Sequence, residues 1–98
     1  MGLSIEDRGW LESMIDNQVK ATPELVKYFR SPENKMEYQI KDENEFALAS
    51  MFGYIVGKFE MFYASIHNKT LTGNEQDEAM GIIKKRLREI KDSLFEAG

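Results

Sequence analysis

The chain has 98 residues, 13 of them Lys or Arg and 17 Asp or Glu, for a formal charge of −4. Its 42% apolar and 31% charged residues suit one soluble globular domain rather than a disordered or membrane-embedded chain. With no cysteine and one histidine, it excludes disulfides, thiolate metal sites, a thiol nucleophile and a paired-histidine centre within one chain.

Motifs narrow the field further. No phosphate-binding or dinucleotide glycine pattern occurs. A Ser-His-Asp triad would have to use His67, and no Gly-x-Ser-x-Gly turn accompanies it. The first residues carry neither a basic nor an apolar signal region, and Glu6 stands where a myristoylation pattern wants Ser or Thr. A cytoplasmic protein is expected. Asn68-Lys69-Thr70 matches a glycosylation acceptor, here a chance match without a secretory signal.

A first helix is predicted from about Ser4 to Ala21. Leu11, Met14, Ile15 and Val19 recur at three-to-four spacing beside Trp10. Ser4 can cap it, with Asp7 three residues on. Thr22-Pro23-Glu24 reads as a second start, with Thr as cap, Pro in the first turn and Glu at the positive end of the dipole. Leu25, Val26 and Phe29 give this short helix an apolar face, and Ser31-Pro32 stops it. Residues 35–41 then alternate: Met36, Tyr38 and Ile40 against Glu37 and Gln39, a strand signature. The chain offers no second strand, so an extended segment lying over the helices is expected.

A third helix starts at Asp42 or Asn44, with Asp42 and Glu45 as a capping pair, and runs to about His67. Its bulky arc is Leu48, Met51, Phe52, Ile55, Val56, Phe59, Phe62, Tyr63 and Ile66. The opposite arc is small: Ala49, Ser50, Gly53, Gly57 and Ala64. Its uncharged run, residues 46–57, is too short for the ~20 residues of a membrane span. Glycine inside a helix costs roughly 1 kcal/mol against alanine. Gly53 and Gly57 therefore imply a close backbone approach, from this chain or from a second subunit.

Thr72 and Glu75 form a capping box for the fourth helix. Met80, Ile83, Leu87, Ile90 and Leu94 make its narrow seam, spaced as in a coiled coil. The short linker, residues 68–73, predicts an antiparallel hairpin of the third and fourth helices, with Phe46 near the level of Leu94 and Phe95. Lys84, Lys85, Arg86, Arg88 and Lys91 resemble a nucleic-acid patch, but Glu89 and Asp92 interrupt it and the chain is acidic. Glu60 and His67 share one side of the third helix. That one pair is too few ligands for a metal, and the helix dipole accounts for His67.

These features predict an all-α bundle of three or four helices around a long central one. The expected function is a small non-enzymatic interaction protein that self-associates as a homodimer, without cofactor or metal. Its interface candidates are Gly53, Gly57, Met80, Ile83, Leu87, Ile90 and Leu94. Two alternatives follow: a nucleic-acid-associated protein using the basic stretch, and a ligand-binding bundle or enzyme with a pocket beside Tyr54, Tyr63 and His67.

Overall fold

In the computed structural model, which describes residues 2–96, five helices and no strand are present among those residues. They are α1 (Ile5–Arg30), α2 (Pro32–Glu37), α3 (Glu43–His67), α4 (Gly73–Lys85) and α5 (Leu87–Glu96). The fold is all-α. The long pair α1 and α3 runs antiparallel: Asp7 meets His67 at one end, and Arg30 meets Asn44 at the other. The α4–α5 arm returns along both helices and completes a bundle.

Three of the four predicted caps form. The Ser4 hydroxyl accepts from the Asp7 amide, and the Asp42 carboxylate from the Glu45 amide. Thr72 and Glu75 cap each other reciprocally. Asn68 closes α3 in the left-handed conformation, φ 57°, which asparagine tolerates better than most residues.

Three expectations give way. First, α1 does not break at Thr22-Pro23; it continues unbroken for 26 residues. Proline in a helix costs ~3 kcal/mol because its ring clashes and its N–H is missing. One apolar phase spans the joint, however: Leu11, Ile15, Val26 and Phe29 all point inward and are buried. Thr22 is not a cap. It is wholly buried, and its hydroxyl donates back to the Gln18 carbonyl at 3.0 Å.

Second, residues 35–41 are not extended. Pro32 opens α2, whose last turn closes through Tyr38 N–H to Asn34 O and Ile40 N–H to Lys35 O, both 2.9 Å. Local bonds satisfy a backbone that has no strand to pair with. The alternation is no guide here, because Ile40 is buried while Met36 and Tyr38 are exposed. Third, the fourth predicted helix is two, joined at the non-helical Arg86. There the guanidinium donates to the Glu12 carbonyl on α1 and pairs with Glu12, Asp16 and Glu89.

The antiparallel arrangement of α3 with the α4–α5 arm does form. Tyr63 meets Glu75 near the turn, and Leu48 lines a groove with Leu94 and Phe95 at the far end. The buried line on α3 is Ala47, Met51, Ile55, Phe59 and Tyr63. Each lies four residues after the last, so the line winds slowly around the helix and meets α1 and the arm in turn.

The small arc of α3 has a different fate from close packing within the chain. A Cβ added at Gly53 or Gly57 would meet nothing within 4 Å. Gly53→Ala should therefore raise stability by roughly 0.5–1 kcal/mol, the helix-propensity gain alone. Urea denaturation of the two proteins measures it, and a loss of stability would show a close approach at Gly53 after all.

Candidate functional site

The cluster of titratable groups with the most partners lies where the start of α1, the end of α3 and the start of α4 meet. The cap at Ser4 turns Asp7 inward on the first turn of α1, where it is buried. His67, on the last turn of α3, donates from Nε2 to both Asp7 carboxylate oxygens, at 3.0 and 3.1 Å. A carboxylate accepts only, so Nε2 carries the proton. The Tyr63 ring lies one turn back, with its centroid 4.3 Å from that of His67. Tyr63 Oη donates to Glu75 Oε2 at 2.6 Å, and Glu75 Oε1 accepts from the Thr72 amide at 2.8 Å. On the neighbouring turn, Glu78 accepts from the Leu3 amide and pairs with Arg8.

These contacts set the protonation states. Burial pushes the Asp7 carboxyl up, but bonds from His67 and Ser4 outweigh it and hold it below its ordinary 3.8. The Thr72 amide, then the Tyr63 hydroxyl, hold Glu75 down to about 2. The same bond to Glu75, with burial, pushes Tyr63 up to about 12. A histidine oriented by a carboxylate can serve as a general base. Here His67 Nε2, Asp7, Tyr63 and Glu75 each have a partner in the chain. Among the described residues, no buried side-chain nitrogen or oxygen lacks one. The arrangement pins three helix ends together.

Sequence spacing pairs His67 with Glu60, but its partner is Asp7, 60 residues away. Glu60 instead borders a small apolar gap between α3 and α4 with Val56 and Gln76. Of the residues expected around a pocket, Tyr63 and His67 lie together and Tyr54 lies apart from them. Tyr63 is buried toward Glu75, while Tyr54 is exposed over the α1 side of α3. Among the described residues no group of three metal-ligating side chains converges.

The seam of the fourth predicted helix also turns inward. Ile83, Ile90 and Leu94 are buried in the chain's own core, and Met80 and Leu87 are partly buried. They offer little surface to a partner. Of the basic residues, Arg86 is held by three carboxylates, whereas Lys84, Lys85, Arg88 and Lys91 are exposed.

One face left open is the outer side of the α1–α3 pair, away from the α4–α5 arm. Trp10 packs on Phe62 at 4.8 Å between centroids yet keeps about half its surface in water. Further along, Leu25 and Tyr28 of α1 line a groove with Ser50 and Tyr54 of α3. Met61, one heptad after Tyr54, is 76% exposed. Lys58 lies over the Tyr54 ring, 5.5 Å from its centroid. The sequence carries a signal for this face that the glycines overshadow. Ser50, Tyr54, Gly57, Met61 and Ala64 recur at spacings of four and three without a charge among them.

Among the described residues no helix is long and apolar enough to cross a membrane. No protein-family model, curated protein or solved structure matches the chain.

Proposed function

We propose that this chain is a small non-enzymatic interaction protein that works as a homodimer. The observation that carries the reading is the outer α1–α3 face, where Trp10, Tyr28, Tyr54 and Met61 stand in water. Aromatic residues and methionine are the types enriched at protein interfaces, and large exposed apolar patches mark association sites. A two-fold dimer lets one patch cover its own copy.

The test is sedimentation across a concentration series. A species of twice 11.4 kDa should build up at micromolar protein and persist in salt that screens charges beyond about 10 Å at 0.1 M. Trp10 is the single tryptophan, so its emission should shift to shorter wavelength over the same range. A monomer of 11.4 kDa throughout, with unchanged emission, would remove self-association.

A further inference from the structure

The outward seam of α3 has a shape that selects one pairing. Large residues, Tyr54 and Met61, alternate with small ones, Ser50, Gly57 and Ala64. The small residues recur every seventh position, and the large ones occupy the intervening seam positions. If two copies of α3 ran parallel about a two-fold axis, each layer would pair a residue with itself. Tyr54 would crowd Tyr54, and Gly57 would leave a void against Gly57. Antiparallel packing pairs the two seam positions with each other instead. Met61 of one copy then faces Gly57 of the other, and Tyr54 faces Ala64. Each layer from Tyr54 to Ala64 becomes large against small, the arrangement that fills a core.

Resting on the dimer reading above, we infer that two copies pair antiparallel along α3, each Met61 seated over the mate's Gly57. The backbone there is open, since nothing lies within 4 Å of a Cβ built at Gly57. Gly57, which finds no close neighbour inside the chain, finds one in the mate. Trp10 and Tyr28 on α1 border the same face. At about 200 Å² for each large side chain and the exposures of Trp10, Tyr28, Tyr54 and Met61, on the order of 450 Å² is available. A standard interface takes about 800 Å² from each partner, somewhat over half of it apolar, so the two areas match. The axis passes at the level of Phe59. Lys58 therefore lies opposite Lys58 on one flank, and Glu60 opposite Glu60 on the other. Screening these like charges should tighten the dimer modestly as salt rises.

The chain's lack of cysteine makes cross-linking clean. Gly57→Cys and Met61→Cys variants, mixed and mildly oxidised, should give a mixed disulfide in far higher yield than either variant alone. A disulfide needs Cβ atoms about 3.8 Å apart, and with one cysteine per chain residues 57 and 61 can be joined only across the pair. Homodisulfides of Gly57→Cys as the main product would show parallel pairing and overturn the inference. So would a dimer in sedimentation with no cross-link at all, which would leave the dimer reading standing without this geometry. Gly57→Leu provides the second test. Its circular dichroism and melting should match a folded monomer, because the site is open, while dimer affinity falls at least tenfold. A Gly57→Leu protein that dimerises like the parent also sinks the inference. If the parent itself never dimerises, both readings fall together.

Discussion

Phe59→Ala should cost about 3–5 kcal/mol, and Phe95→Ala almost nothing. Phe59 is 2% exposed and borders the place where α1, α3 and α4 converge, with Leu11, Val56, Ala79 and Ile83 around it. Removing its ring loses the transfer free energy and leaves a cavity that three helices cannot close without shifting. A chain of this length has on the order of 5–15 kcal/mol of total stability, so the variant should be partly unfolded at 37 °C. Phe95 is 72% exposed at the end of α5 and has little burial to lose. Urea melts of the two variants beside the parent decide it. Equal losses would mean that the core does not centre on Phe59.

His67→Ala should cost about 1–3 kcal/mol, the range for stranding a buried group without its partner. A helix-end charge alone would be worth up to about 1 kcal/mol. The larger figure follows from Asp7, which is buried and relies on His67 for two of its bonds. Adding Asp7→Asn to the His67→Ala protein should restore part of the loss, because an amide is cheaper to strand than a carboxylate. Additive losses in that double variant would show that the two side chains do not act together. The same end of the bundle sets the acid sensitivity. Folding holds Asp7 below 3.8 and Glu75 below its ordinary 4.5, at about 2. The unfolded chain therefore binds protons that the folded chain excludes. The contribution of both groups is full above about pH 4.5 and is lost as pH falls toward 2. Glu75→Gln should flatten that decline, read as the melting temperature against pH. An unchanged acid limb would place the sensitivity elsewhere.

Much of this fold was legible because helix ends are local chemistry. Ser4, Asp42 and Thr72 each act within three residues of themselves, so short motifs reveal them. The apolar spacing of α3 and of the arm was equally plain, as was their antiparallel return. The failures share a cause: each was decided by contacts between residues far apart. Thr22-Pro23 has the local form of a helix start, but burial along the whole of α1 carries the helix through it. Residues 35–41 alternate like a strand, yet with no strand to pair with they close into a turn after α2. No glycine or proline marks the break at Arg86; its acidic partners on α1 lie 70 or more positions away. The candidate residues divided in the same way. Spacing on one helix paired His67 with Glu60, because only the folded chain brings Asp7 near. The glycines were conspicuous by composition, but the direction of their open face depended on where α1 and the arm settled.

The bonds from Leu3 and the first helix to the last two helices have a consequence for how the chain is made. Leu3 with Glu78, Arg86 with Asp16 and Thr22 with Ser93 join positions 70 to 75 apart. On the ribosome α1 and α3 emerge first, and Leu11, Ile15, Ile55 and Phe59 stay uncovered until the arm follows. Closing so long a loop adds little entropy beyond a shorter one, so the delay is one of synthesis rather than of search. The nascent α1–α3 hairpin is therefore bare of its arm, and α4 and α5 convert it into the folded chain. A nascent chain stalled or cut before Ile90 should be a sticky intermediate cleared by proteases, not a smaller version of the same fold.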